Sequence, residues 1–439
     1  MNMSPSSCTH VAAALDTPCV LVDRVRLDAN LQAMQARATW HGLALRPHIK
    51  THKCPEIAAR QLALGAAGIT AAKVDEALVF LAAGVRDLTL AYPLVCSEKL
   101  DRLLAAAKAA GARVRLLADS ESGVATLEAA ARRHGPWPDV SGGGLEVFLK
   151  IDVGLGRCGL VPDDPGLIPL ARRLADGNKE KGSGLRLAGL LSHAGQAYGA
   201  ADAAQARDVA EAERRLMVGL AGRLRGLGLA VPEVSVGSTP TVLAAEDFSG
   251  LTEIRPGNYA FLDRAAVRLG LAGLGDVALT VLATVVSRGR DRIIIDAGSK
   301  SLSAELGAHG TGSAGYGFGL AFPVQTAPTA PCAADACSGG AGDEALAVAD
   351  LLRSWPPGVP GLPVARLSEE HGILNVPGPG TAERPAATWA AGLAVGDRVR
   401  ILPNHACAVA NLAERYVVLL PGPPPGIVFW EVAARGKVR

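Results

Sequence analysis

From Leu43 to Arg255 the chain alternates short apolar runs with amphipathic segments, and this alternation restricts its fold more than any other feature. Strand-like runs lie at Leu43–Lys50, Gly68–Lys73, Asp87–Pro93, Arg113–Asp119, Leu145–Asp152, Leu185–His193, Val231–Gly237 and Thr252–Arg255. Between them the period changes to that of helices, clearest at Pro55–Leu64, Val74–Ala83, Glu98–Ala110, Gly123–Arg133 and the charged Ala203–Leu227. Eight such repeats in about 215 residues predict a parallel (β/α)8 barrel, with an open doubly wound sheet as the alternative. The seventh repeat is the weakest, because Leu243–Leu251 leaves little room for a helix. Beyond Gly270 the pattern becomes strand-rich without helices, at Val277–Ser287, Arg292–Asp296, Arg398–Leu402 and Tyr416–Leu420, which predicts a C-terminal mainly-β domain. The expected organisation is an N-terminal segment 1–25 packing with the β domain, a barrel over 26–265 and a β domain over 266–439. Thr326–Pro363, rich in Pro, Ala and Gly, is an expected inserted loop with at most one short helix around Glu344–Ser354, and its Cys332 and Cys337 are expected to be solvent-exposed filler.

Composition removes several function classes. The 44 basic and 42 acidic residues nearly cancel, which argues against nucleic acid or an anionic membrane as partner. No long apolar run escapes charges or Gly/Pro breaks, and the opening Met1-Asn-Met-Ser-Pro-Ser-Ser7 has neither a basic nor an apolar region, so a cytoplasmic location is expected. Eight irregularly scattered cysteines do not form a disulfide framework.

In a parallel barrel, chemistry belongs at the C-terminal ends of the strands, and polar residues collect there. In order they are Lys50, Lys73, Tyr92, Asp119, Asp152 and His193; Asp119, just before a helix, reads as a cap. In the first run Leu43, Leu45 and Ile49 alternate with Arg46, His48 and Lys50, which places Lys50 at the strand end on the polar face. Among His48, His52, Lys53 and Arg46, Lys50 should feel like-charge repulsion and become a nucleophilic amine. The other reading is a solvated basic turn.

Glycine-bearing turns follow the last two strands, Val236-Gly-Ser-Thr-Pro240 and Arg255-Pro-Gly-Asn-Tyr259, where barrels commonly hold a phosphate. The fifth strand runs into Lys150-Ile-Asp-Val-Gly-Leu-Gly-Arg-Cys-Gly159, putting Arg157 at the barrel mouth as a donor to an anionic ligand group. A lysine amine, a phosphate cradle and an arginine at one mouth suit pyridoxal 5′-phosphate. In the β domain His405 and Cys407 are two apart, so in extended chain they would point to the same side and suit Zn²⁺; a buried structural pair would look the same. Ser368-Glu-Glu-His-Gly372 is either a turn or a contributor to that site.

Taken together, Arg46-Pro-His-Ile-Lys-Thr-His-Lys53, Ile151-Asp-Val-Gly-Leu-Gly-Arg157, Gly237-Ser-Thr-Pro240, Glu253-Ile-Arg-Pro-Gly-Asn-Tyr259, Ser368-Glu-Glu-His-Gly372 and Pro403-Asn-His-Ala-Cys407 occur in an order that resembles the metal-activated pyridoxal enzymes of the alanine-racemase fold. That family includes D-serine dehydratases and D-threonine aldolases. The resemblance implies fold type III, a cofactor-carrying barrel plus a mainly-β domain with zinc or another divalent metal, a homodimer, and a small D-amino acid as substrate. It implies Lys50 as the Schiff-base lysine, Arg157 and Arg255 as partners of the cofactor ring, and Gly237, Ser238, Thr239, Gly257, Asn258 and Tyr259 as the phosphate cradle. His405 and Cys407 would be the metal ligands. The stretch His193-Ala-Gly-Gln-Ala-Tyr198 matches the dehydratase branch at His193 and Tyr198, with Gln196 where a histidine is more familiar, and Cys407 stands where comparable aldolases carry Asp. The expected function is therefore D-serine dehydration or a close relative of it, with D-threonine-type aldol cleavage as the alternative and a non-catalytic pyridoxal-phosphate carrier as the alternative of another class.

Overall fold

The computed structural model describes residues 15–135, 143–177, 184–307, 317–324, 348–352, 355, 359–376 and 384–439. The chain forms two compact units, one of Asn30–Ala260, Arg268–Leu271 and Val432–Arg439, the other of Met1–Ala29, Phe261–Val267 and Ala272–Glu431.

After β1 (Cys19–Asp23), the barrel unit contains β2 (Ala44–Leu45), β3 (Ile69–Ala71), β4 (Asp87–Leu90), β5 (Arg113–Ala118), β6 (Leu145–Lys150), β7 (Leu185–Leu191), β8 (Glu233–Val236) and β9 (Glu253–Ile254). Neighbouring strands are parallel in the order β2-β9-β8-β7-β6-β5-β4-β3. A parallel bridge between His48 and Thr70 joins the two end strands, so the eight-stranded sheet closes into the expected barrel. β6 is buried at every position because helices cover the outside and side chains fill the inside, so Leu145, Val147, Phe148 and Leu149 are apolar while Glu146 and Lys150 take polar partners. The helices bury one stripe each. In Ser97–Ala110 it is Leu100, Leu103, Leu104 and Ala107, and the helix stops at Gly111, whose φ of 61° is the left-handed cap that glycine adopts without strain. The seventh repeat does hold a helix, Thr239–Ala244, which begins before Leu243 because Ser238 caps it and Pro240 sits in its first turn.

The second unit is built on a nine-stranded mixed sheet. Its strands are β1 with β10 (Leu279–Arg288), β11 (Arg292–Ile295), β12 (Leu320–Pro323), β13 (Leu362–Leu367), β14 (Gly372–Asn375), β15 (Arg398–Leu402), β16 (Arg415–Leu420) and β17 (Gly426–Glu431). β1 lies between β10, antiparallel, and β16, parallel. Leu21, Leu282, Val417 and Leu419 pack there against Val348 and Leu351 of a short helix, Val348–Leu352, which falls inside the span proposed for the insertion. Residues 326–347, with Cys332 and Cys337, lie outside the described residues.

One local expectation is overturned. Ala406–Leu412 is a helix with His405 as its N-cap residue, so His405 and Cys407 do not share the side of an extended strand. The alternation argument fails because Ala406-Cys-Ala-Val-Ala is free of Gly and Pro and buries Ala406, Val409 and Ala410 at helical spacing.

Candidate active site

The chain leaves β2 with Arg46 turned into the barrel interior, where Nε meets Glu253 and Nη1 meets Asp87, each at 2.6 Å. Past His48 it makes a tight turn over Ile49–Lys53, closed by Lys53 N–H donating to the Ile49 carbonyl at 2.8 Å. Lys50 is therefore in a turn beyond the strand rather than its last residue. The basic cluster expected around it is also dispersed. Arg46 is engaged below, Lys53 Nζ pairs with Glu76 at 2.9 Å, and the His52 ring contacts Gln61 at 3.2 Å. Each cation or imidazole finds its own partner because burial without one is costly. What surrounds the turn instead comes from other strands. His48 is held well below its usual pKa by burial first, then by Lys50, His193, Arg255 and Arg157, so these four groups share its neighbourhood and the imidazole is neutral.

The two glycine turns are joined to the Lys50 turn. Gln61 donates to Tyr259 Oη at 2.9 Å, and the Tyr259 N–H donates to Thr239 Oγ1 at 3.1 Å, linking His52 through Gln61 to both turns. A Cβ on Gly257 would lie 2.8 Å from both the His48 carbonyl and Thr51 Oγ1, so only glycine fits. Gly237 has φ of 111°, and a Cβ there would meet Val242 at 2.9 Å. Ser238, Thr239 and Asn258 are buried; Ser238 Oγ donates to the Ala194 carbonyl at 3.1 Å, and its backbone N–H donates to Thr241 Oγ1 at 2.9 Å. His193 Nδ1 lies 3.1 Å from the Gly237 carbonyl. Tyr198, buried, has its carbonyl held by Arg268 at 2.8 Å.

Arg255 is buried, and its guanidinium donates to Ser235 Oγ at 2.5 Å and to the Ser192 carbonyl, with burial pushing its pKa down to about 10. Arg157 is exposed on the glycine-rich loop. That loop is tied at three points: Asp152 accepts N–H bonds from Gly154 and Leu155 at 3.0 and 3.1 Å, Gln196 donates to the Val153 carbonyl at 2.8 Å, and Asp119 accepts from Gly159 N–H at 2.9 Å. Asp119 is thus no helix cap; Ser120 caps that helix, its hydroxyl accepting from Gly123 N–H.

Two buried residues escaped the sequence reading. Lys150, at the end of β6, donates to the Ile151 carbonyl at 2.7 Å, and burial pushes its pKa down to about 8. Glu213, on the helix Ala203–Gly226, accepts from Ser192 Oγ at 2.6 Å and from Gly237 N–H at 3.4 Å, and burial raises its pKa. The available signal was its spacing: Glu213 sits in the helix's apolar stripe with Ala206, Ala210, Met217, Leu220 and Leu224.

In the other unit, the His405 ring and Cys407 interact across the first turn of their helix. Asp263, fully buried, faces His405 Nδ1 at 3.1 Å and accepts the Ala406 N–H at 2.9 Å. Burial alone would depress His405, yet Cys407 and Asp263 hold its pKa well above the ordinary value. An imidazole oriented by a carboxylate and set beside a thiol is a donor set suited to a soft divalent cation. Among the described residues no group of three or more such donors is gathered. His371 is exposed, with its N–H donating to Ser368 Oγ at 3.1 Å, a turn interaction.

Comparison with known proteins places these observations. Residues 22–265 match the family described as alanine racemase, N-terminal domain, and residues 278–419 match the putative serine dehydratase domain. The chain is 35% identical over 408 residues to the D-threo-3-hydroxyaspartate dehydratase of Delftia sp. (strain HT23), covering 92% of this chain and 94% of that protein. The structure of that enzyme superposes with a TM-score of 0.77 at 33% identity, covering 96% of this chain and 98% of that one, and a variant of it has been solved in the metal-free form. Identity to the D-threonine aldolase of Arthrobacter sp is 32% over 433 residues, 97% of this chain and 94% of that protein. Identity to the D-serine dehydratase of Dictyostelium discoideum is 31% over 306 residues, 67% of this chain and 75% of that protein.

Proposed function

The chain belongs to the family that joins an alanine racemase N-terminal domain to a serine dehydratase domain, and from that premise we propose that it is a pyridoxal 5′-phosphate- and metal-dependent lyase that eliminates water from a D-3-hydroxy amino acid, D-serine or a close relative. The observation that carries this reading is the hydrogen-bonded link between the Lys50 turn and both glycine turns, from the His52 ring to Gln61 at 3.2 Å, Gln61 to Tyr259 Oη at 2.9 Å and Tyr259 N–H to Thr239 Oγ1 at 3.1 Å.

Pyridoxal 5′-phosphate, when bound, supplies a carbonyl for an amine and an electron sink for charge released at Cα. Lys50 would hold it, and once the substrate's amine displaces Lys50, the free Nζ would take the Cα proton. Arg255, kept in place by Ser235 and Ser192, and Arg157, on the loop tied at three points, would orient the ring. Gly237, Ser238, Thr239, Gly257 and Asn258 would take the phosphate, the two glycines letting their turns pack closely against Val242 and the His48–Thr51 segment. His193 and Tyr198, in the segment that follows β7, would flank the ring. A divalent cation on His405 and Cys407 would supply Lewis acidity toward the departing hydroxyl. Dehydration is favoured over cleavage by Cys407, a soft donor; retro-aldol cleavage is kept as the second reading because similarity to a D-threonine aldolase extends over 97% of the chain.

The test is turnover of a D-amino-acid panel by cofactor-loaded protein, before and after chelation. Ammonia plus keto acid, lost on chelation and restored by Zn²⁺ with the bound-cofactor absorbance unchanged, is the expected result. Aldehyde plus glycine would establish the aldolase, and retained cofactor without turnover on any substrate would make the protein a carrier.

A further inference from the structure

We propose that Lys53 is a positioning residue for Lys50, working through a buried anchor that ties the Lys50 turn to β3 and to the segment Val432–Arg439; this rests on the reading of Lys50 as the cofactor-holding lysine. Lys53 ends the turn with φ of 52°, in the left-handed region that favours glycine. Its side chain is what the position retains. Lys53 is 6% exposed and Glu76 0%, and Nζ lies 2.9 Å from Glu76 Oε1 and 3.5 Å from the Ala434 carbonyl. The contact with Ala434 is reciprocal, since the Ala434 N–H donates to the Lys53 carbonyl at 3.1 Å. Glu76 is itself fixed by its other oxygen, which accepts the Ala72 N–H at 2.7 Å just past the end of β3.

Two cheaper solutions were open. Glycine would adopt this φ without strain, and a neutral apolar pair would avoid desolvating two charges. A buried ion pair that also engages a backbone carbonyl does what neither can: it fixes direction, because Nζ must meet two acceptors at once. The turn is also pinned just ahead of the anchor, with Thr51 against Gly257 and His52 on Gln61. The pair closes by its N–H bond from Lys53 to Ile49, which spans Lys50, so a shift of Lys53 is passed directly to the turn that carries the amine.

Three variants test this: Lys53→Gly, which keeps the backbone and loses the anchor; Lys53→Met with Glu76→Gln, which keeps volume and removes both charges; and Ala434→Pro, which removes one N–H donor and no charge. For each, melting temperature, cofactor dissociation rate and the pH midpoint of the lysine-bound cofactor's absorbance are read on loaded protein. Positioning predicts at least a tenfold faster cofactor release and a displaced pH midpoint in Lys53→Gly and in the double variant, with a smaller change of the same sign in Ala434→Pro. Parental release rate and midpoint, whatever the melting temperature does, would overturn it. If the double variant does not fold, Lys53→Gly and Ala434→Pro decide the matter by the same two readouts. Failure of the underlying reading is distinguishable, because hydride reduction of the parent protein would then fix the cofactor to a residue other than Lys50.

Discussion

Near the N-terminal ends of the barrel strands, Arg46, Arg113, Arg115 and Arg186 meet Asp87, Glu146, Glu233 and Glu253 in one connected network, whereas at the C-terminal ends Lys50, Lys150, Arg157 and Arg255 gather with Glu213 reaching in from a helix. The chemistry of the side chains is the same and the charge balance is not. At the lower end the hydrogen bonds from Arg113 to Glu146 raise the arginine's pKa, and Glu253 and Asp87 outweigh burial to raise that of Arg46. At the mouth burial prevails, pushing Lys150 down to about 8 and Arg255 to about 10. A buried cation matched by carboxylates serves the fold; Lys150 and Arg255, whose pKa values burial depresses, mark a place that an anionic ligand would complete.

The comparison breaks most visibly if the lower network proves functional. Glu146→Gln removes the carboxylate that Arg113 and Arg186 share, although Arg113 keeps Asp87 at 3.4 Å, and should cost about 3 kcal/mol of stability in urea unfolding, the low end of the range for breaking a buried ion pair, while cofactor affinity of the folded protein stays at the parental value. Loss of cofactor binding there would erase the distinction. At the mouth the expectation reverses: Glu213→Gln should weaken cofactor binding about tenfold, or ~1.4 kcal/mol, by loosening Ser192 and Gly237, with little change in unfolding. A fluorescence titration of the cofactor sets this against the melting temperature. The smallest effect is a pH slope. Burial and the neighbouring Glu253 push Glu233 up from 4.5 to about 7, so the folded state favours its protonated form. The stability this contributes is fully present below about pH 4.5 and is lost as pH rises through about 7, and Glu233→Gln should flatten that part of a melting-temperature profile. An unchanged slope in the variant would show that pairing with Arg115 at 2.7 Å keeps Glu233 ionised.

The barrel was legible in the sequence because strands covered on both faces must be apolar almost throughout, which leaves a strong signal at β5, β6 and β7 even where boundaries shift by a residue or two. The geometry of the Lys50 turn was misread. Adjacent basic residues imply mutual repulsion only if they stay together, and here Arg46, His52 and Lys53 depart to Glu253, Gln61 and Glu76, none of which is near them in the chain. His405 and Cys407 show the same limit at shorter range, since a two-residue spacing has different meanings in a strand and at a helix start. Glu213 was hidden for the opposite reason: a carboxylate in a charged 24-residue helix looks solvated until its place in the apolar stripe is noticed.

The central claim is that the basic side chains at the mouth are organised for a cofactor held on Lys50. Borohydride reduction of protein loaded with pyridoxal 5′-phosphate, followed by peptide mapping by mass spectrometry, tests it directly against Lys53, Lys73 and Lys150. The account predicts the reduced adduct on Lys50 alone and none in Lys50→Ala. An adduct on Lys150, or one that persists at the mouth in Lys50→Ala, would contradict it.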